Sequence, residues 1–380
     1  MRWDNQLAIA LNEPPVSVEI LPGDFEIWAH HAQTVSNPSS SVPHFLSIEG
    51  NLGIPQKVLY RTYVAAIEVY KQCRTRRDSL VTDVIDGFIQ SSAVILLANP
   101  GHQSALNTRK RMVTLGHLDA SQELRFTSAL MTHRDCAKQS ILWHHRRWLL
   151  RFLYQRGSSG DGIEAKDDIV DEDFLINHYI PTEIIASELE ISSKASEIYP
   201  RNYFAWSHRF RCLLALTKTA QVTHSSHSLD LIKQESLWIR QWIERHISDY
   251  SAMQYHQQLS TAIQQLDPEI QLVLSGTSPS DTPRSLALSL VQTYPNHEAL
   301  WIYLRNSIEL QAPSASTDPV VETFIRDTLA EASQLDPGTI QRRLAFRLAL
   351  GSTLGKSEML NGALVRDVMD GKALVEEIKS

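Results

Sequence analysis

The side chains of this chain that could do chemistry are mostly arginines and histidines, and they recur in one phrase. Trp143-His144-His145-Arg146-Arg147-Trp148 and Trp206-Ser207-His208-Arg209 each place an arginine three residues after a tryptophan. Leu106-Asn107-Thr108-Arg109 keeps the arginine and replaces the tryptophan, and Trp301-Ile302-Tyr303-Leu304-Arg305 is a looser copy. Arginines at one fixed position of stacked repeats would form a cationic ladder suited to a partner protein or an anion. Any single cluster, such as Arg109-Lys110-Arg111, reads equally as a solvated face or as ion pairs with neighbouring acids. Self-contained catalysis finds no such pattern. None of the fifteen histidines falls into HExxH, and the adjacent His144 and His145 point to different sides of a helix. Cys136 lies three residues from His133, a spacing that packing alone explains, and there is no GxSxG, Walker loop or GxGxxG.

The elements that must position these residues are helical hairpins. Pro100, Pro200 and Pro295 each stand six residues before an anchor, preceded by Asn99, Tyr199 and Tyr294. Proline cannot continue a helix and pushes its predecessor out of the helical region. Upstream lie apolar residues at helical spacing, such as Val84, Ile85, Phe88 and Ile89. Asn202 is placed to cap the next helix, and Asp249 offers the same chemistry in a fifth, degenerate copy at Met253. Each unit therefore reads as helix, proline turn, cap and second helix. The anchors Leu106, Trp143, Trp206, Met253 and Trp301 are 37, 63, 47 and 48 residues apart. Removing loop-like insertions at Arg156 to Gly162, Asp167 to Asp173, Thr217 to Ser228 and Ser275 to Arg284 leaves a period of about 35 residues, the size of a stacked helix pair. The tryptophans are expected as wedges between hairpins.

Residues 1–54 form an irregular N-terminal segment with one short strand, Val16 to Ile20, and a surface loop from Ser36 to Pro43. Residues 55–310 carry the repeat, opening on a helix from Pro55 to Asp78. Residues 311–380 are expected to cap the stack through Leu344, Leu348, Leu354 and Leu360. Hydrophobic content of 43% and charged content of 21% argue for a folded chain, and its 380 residues can bury a large core. The net charge of −7 argues against general nucleic-acid binding. The longest apolar run, Ala93 to Ala98, is too short for a membrane span, and no secretory signal pattern opens the chain. Three cysteines without metal-like spacing suit a reducing, cytoplasmic compartment. Glu376 to Ser380 holds no prenylation box.

Tyr199-Pro200-Arg201-Asn202-Tyr203-Phe204-Ala205-Trp206-Ser207-His208-Arg209 resembles the repeat of protein prenyltransferase α subunits, whose core reads Asn-Tyr-x-x-Trp-x-x-Arg. Trp143 to Trp148 and Pro295 to Arg305 resemble further copies, so the likeness covers residues 82 to 310. The Ala-Trp-Ser-His-Arg wording is similar to the divergent branch of prenyltransferase α-subunit repeat-containing proteins. The resemblance implies an all-α fold, a right-handed α-α superhelix of about five to seven antiparallel hairpins. It also implies a non-catalytic α-type subunit of a heterodimeric prenyltransferase. Its β partner, of the kind used for Rab-type geranylgeranylation, would hold zinc and the isoprenoid pocket, and this chain itself no metal or cofactor. The complex would transfer farnesyl or geranylgeranyl from its diphosphate to a cysteine near the C-terminus of client proteins. Farnesyl and type I enzymes place a lysine where this chain has Arg201, so the resemblance implies a diphosphate contact for Arg201, with Tyr203 beside it. It assigns Trp143, His145, Arg146, Arg147, Asn202, Trp206, His208, Arg209, Trp301 and Arg305 to the repeat signature or the partner interface. In the fourth copy Met253 and His256 replace both anchors, a departure from the pattern. The alternative reading is a helical-repeat scaffold that binds other proteins without transferase activity.

Overall fold

In the computed structural model the described residues are 5–32, 44–76, 82–155, 178–274, 282–310 and 339–351, with isolated positions at 175 and between 323 and 335. They divide into two compact units, Met1–Val222 and Thr223–Ser380. Both are built from helices, and the class is all-α.

The first unit opens with α1 (Gln6–Asn12), β1 (Ser17–Leu21), α2 (Phe25–Ala32), β2 (Leu46–Ile48) and β3 (Asn51–Pro55). The expected short strand is thus β1, shifted by one residue, but it has company. β3 lies between β1 and β2, parallel to the first and antiparallel to the second. Glu49 and Gly50, at φ 51° and 80°, make the two-residue turn between β2 and β3. Two positive φ values in succession match the right-handed twist of a hairpin. The outer edge of β1 is covered by a side chain: the Val18 N–H donates to Thr132 Oγ1 at 2.8 Å.

Helices follow. They are α3 (Gln56–Thr75), α4 (Thr82–Ala98), α5 (Gln103–Thr114), α6 (Ala120–Leu130), α7 (Arg134–Ala137), α8 (Ser140–Gln155), α9 (Thr182–Ile198) and α10 (Tyr203–Thr223). α3 replaces the helix expected from Pro55 to Asp78; Val58 and Tyr70 are buried on it and Tyr63 and Ile67 half-buried. One continuous core joins Leu7, Leu11, Ile54, Tyr70, Phe88, Leu96, Phe126 and Trp143. The second unit holds α11 (Ser226–Arg245), α12 (Tyr250–Gln264), α13 (Pro268–Leu274), α14 (Pro283–Thr293), α15 (Glu298–Leu310) and α16 (Ile340–Gly351). Leu344 and Leu348 are buried on α16; Leu354 and Leu360 lie outside the described residues.

The proline turns fall where the sequence puts them, between α4 and α5, α9 and α10, and α14 and α15. The loop expected over Thr217 to Ser228 is absent: α10 runs to Thr223 and α11 begins at Ser226. The polar residues there are accommodated in the helix, their hydroxyls satisfied by carbonyls of the preceding turn. Thr217 donates to Leu214 O at 3.0 Å and Thr219 to Ala215 O at 2.9 Å. The other expected insertions and the loop expected between Ser36 and Pro43 lie outside the described residues, except that the insertion expected to run to Arg284 ends at the cap Thr282, Pro283 and Arg284 already being helical.

Close approach of α3 and α4 depends on Gly87, where a Cβ would meet the Sγ of buried Cys73 at 2.6 Å. Alanine would favour the helix by up to about 1 kcal/mol, but overpacking a closed contact costs about 1–3 kcal/mol. Gly87→Ala is therefore expected to lower the urea midpoint. In a Cys73→Ala background the clash is gone and the same substitution should raise it.

Candidate functional site

The site implied by the repeat motif is the turn between α9 and α10. Tyr199 closes α9 in an extended conformation, and Pro200 prevents the helix from continuing. Arg201 adopts φ 60°, in the left-handed region that L-residues enter at a cost, and is exposed. Asn202 is fully buried and turns the chain back into a helix: its Oδ1 accepts from the Ala205 N–H at 3.2 Å. Its Nδ2 donates to the Ala137 carbonyl at 2.9 Å, tying this turn to the one before α8. Tyr203 begins α10 and is 64% exposed. The Arg134 guanidinium lies 5.7 Å from the centre of the Tyr199 ring.

Beneath this edge the repeat arginines are buried. Arg109, Arg146 and Arg209 are at most 3% exposed, so the expected surface ladder is an internal one. Arg109 bonds Glu123, and Arg146 grips Glu188 through two bonds of 2.6 Å. Each carboxylate also receives a histidine from the next helix of its own hairpin, His145 on Glu123 at 2.9 Å and His208 on Glu188 at 2.8 Å. The free end of each arginine returns to the first helix of its own hairpin. Arg109 reaches Ile89 O, Arg146 reaches Leu124 O at 3.0 Å with Thr127 and Ser128, and Arg209 reaches Leu189 O and Ser193. A carboxylate of one hairpin is thus shared between the arginine of the preceding hairpin and the histidine of its own. Sequence reasoning missed Glu123 and Glu188. The available signal was an acid inside a buried stripe, such as Ile185, Glu188, Leu189 and Ser192 on α9.

Electrostatics follow from burial. Burial alone would raise the Glu188 carboxyl, but the Arg146 charge and the His208 hydrogen bond outweigh it and hold it at about 2. Arg109 and His145 do the same for Glu123, also at about 2. Burial pushes His145 and His208 below the usual histidine range despite the carboxylate each meets, so both are neutral and donate from Nε2. A neutral imidazole beside an already paired carboxylate adds a donor without adding a second buried cation.

The tryptophans are structural in geometry. Trp143, Trp206 and Trp301 are buried, and the indole N–H of Trp143 and of Trp301 donates to a carbonyl six residues back, Ala137 O and Pro295 O, both at 2.8 Å. Arg147 and Arg305 are half-buried. In the second unit the pattern degenerates in place. Tyr255 takes the histidine position and donates to Glu235 at 2.8 Å. His256 takes the arginine position and meets the Tyr303 hydroxyl directly at 2.6 Å. Asp249 caps α12 through Ser251 and Ala252, as expected. Cys136 is buried, and burial raises its thiol far above the usual range, which suits packing. Among the described residues no three His, Cys, Asp or Glu side chains come together as a metal site, and no helix is long and apolar enough to cross a membrane.

The model of the protein prenyltransferase alpha subunit repeat matches residues 185–216, the hairpin that holds Glu188, Arg201, Asn202, Trp206, His208 and Arg209. The chain is 28% identical over 270 residues to protein prenyltransferase alpha subunit repeat-containing protein 1 of Homo sapiens, covering 63% of this chain and 62% of that protein. The protein of the same name from Danio rerio is 28% identical over 244 residues, 58% of this chain and 54% of its own length. Xenopus laevis protein 1-A is 26% identical over 284 residues, 66% of this chain and 62% of its own. The chain thus spans less than two thirds of these curated relatives. It carries the prenyltransferase α-subunit repeat, and the similarity is to the repeat-containing branch that its motif wording resembles.

Removing the Glu188 charge would strand a buried guanidinium, so Glu188→Gln is expected to cost about 3–5 kcal/mol in chemical denaturation. Acid acts in the same direction. The depressed histidines contribute stability at pH above 6.5 that is lost as pH falls below it, since the unfolded chain takes up those protons first. The carboxylates contribute stability above pH 4.5 that is lost as pH falls towards 2. A thermal-midpoint profile should show both declines, with the second reduced in Glu188→Gln.

Proposed function

We propose that the chain acts as the α-type, non-catalytic subunit of a heterodimeric protein prenyltransferase in the cytoplasm. The observation that carries this reading is Arg201, an exposed cation held in a left-handed turn beside exposed Tyr203, within the hairpin that matches the α-subunit repeat. The partner is a β subunit, of the Rab geranylgeranyl type by resemblance, which would supply zinc to lower the pKa of the client's cysteine thiol. As the thiolate sulfur bonds to the isoprenoid carbon, the carbon–oxygen bond breaks and charge gathers on the departing diphosphate. Arg201 would meet that charge with two donors, where a lysine would offer a point charge. Tyr203 stands beside it and would border the same edge. Arg147 and Arg305 belong to the partner surface in this reading, whereas Trp143, His145, Arg146, Asn202, Trp206, His208, Arg209 and Trp301 hold the hairpins that present it. Burial of Arg109, Arg146 and Arg209 favours a second reading, a repeat scaffold without transferase activity, because it withdraws the repeat cations from any ligand.

Co-expression with each β subunit of the same organism, followed by size exclusion, separates the two. A one-to-one complex that transfers labelled isoprenoid to a cysteine-ended peptide supports the subunit; no complex with any β subunit favours the scaffold. Within an active complex, Arg201→Gly should raise stability by about 1 kcal/mol, since glycine accepts positive φ. It should also lower turnover about tenfold or more by removing the cation. Stability and turnover moving in opposite directions is the expected signature, read by thermal melts and single-turnover assays.

A further inference from the structure

We infer that Asn202 is a positioning residue for the Arg201 cation, an assignment that rests on the diphosphate contact proposed above. Asparagine at a helix start needs only its side-chain oxygen to serve as a cap. Here the oxygen does so for Ala205, and the amide nitrogen does something a cap does not require: it reaches the Ala137 carbonyl of the preceding hairpin. Among the described residues His102, Asp119, Asp249 and Thr282 also cap N–H groups of their own helices, and Asp249 likewise reaches outside its helix, accepting from the Trp242 indole at 3.3 Å. Among described residues with φ between 50° and 80°, only Glu49, Arg201 and His224 are not glycine. Arg201 is therefore held in a costly conformation by a neighbour pinned on both sides, fully buried, and fixed to a second turn. Release of that pin would let residue 201 relax toward negative φ and redirect its side chain.

Asn202→Ser makes the test clean. Serine keeps the cap but cannot reach Ala137, and that carbonyl still accepts from Trp143 Nε1, so no buried acceptor is stranded. Asn202→Thr serves as a second variant of the same kind. The full chain is titrated with inorganic pyrophosphate, following the backbone amide signals of residues 201–204. Wild type should saturate, and Arg201→Ala should abolish the response. Asn202→Ser should weaken affinity about fivefold, the equivalent of one hydrogen bond's net worth. Positioning is read directly from the three-bond HN–Hα coupling of residue 201, which should leave its positive-φ value in Asn202→Ser while the amide signals of α8 stay in place; a general structural loss would move both. Wild-type affinity in Asn202→Ser and Asn202→Thr, with Arg201→Ala still inactive, overturns the positioning role and leaves the anion contact standing. Unchanged binding in Arg201→Ala removes the anion contact and, with it, anything for Asn202 to position.

Discussion

A carboxylate buried between two hairpins and shared by donors from both is the interaction on which the described first unit depends. Taking a carboxylate and a guanidinium out of water is expensive, and their attraction compensates only when every remaining lone pair and donor is also satisfied. Glu188 takes two bonds from Arg146 and one from neutral His208, while Arg146 Nη1 turns to Leu124 O, Thr127 and Ser128. Neither partner can be satisfied within its own hairpin. The network therefore specifies which hairpin follows which, and in what register, more than it adds to net stability.

The degenerate copies show the same constraint from the other side. Losing the arginine at position 256 removes the need for a buried counter-charge, and the neutral pair His256 and Tyr303 replaces the ionic one. Burial lowers His256 to about 4 and raises the Tyr303 hydroxyl, so both stay uncharged and the contact is an ordinary hydrogen bond. Gln257 then secures the same helices by donating to Tyr303 O and Ser307 at 3.0 Å. A repeat can change its chemistry in this way as long as the sites at the arginine and histidine positions change together.

The hairpins, proline turns and caps were legible because their signals are local. Pro200, Asn202 and Asp249 each act within a few residues of themselves, and the spacing of apolar residues reports a helix face directly. The shared carboxylates were not legible, because Glu188 meets Arg146 across 42 residues and a polar insertion. Without that partner, the arginines read as a surface ladder, a solvated face or ion pairs with acids that the spacing could not name. The error over Thr217 to Ser228 has the same root: composition reports polarity, but a threonine that bonds Leu214 O inside the helix is polar without being a loop. In the N-terminal segment the strand was visible as alternation, while β2 and β3 are too short and too mixed to declare themselves.

These constraints withdraw the repeat arginines from the surface, although Arg74, Arg76 and Arg111 stay exposed elsewhere in the first unit. Arg109, Arg146 and Arg209 are consumed in holding hairpins together, and the indoles of Trp143 and Trp301 are turned to their own turns. At the repeat edge between α9 and α10, Pro200, Arg201 and Tyr203 are exposed around the buried Asn202. Arg201 stands where glycine would be the less costly residue, and the geometry gives it no packing role to offset that cost. Glu49 and His224 adopt the same region, so the conformation alone does not name a role; the diphosphate contact proposed above is a use of the exposed Arg201 side chain that would offset the cost of its backbone.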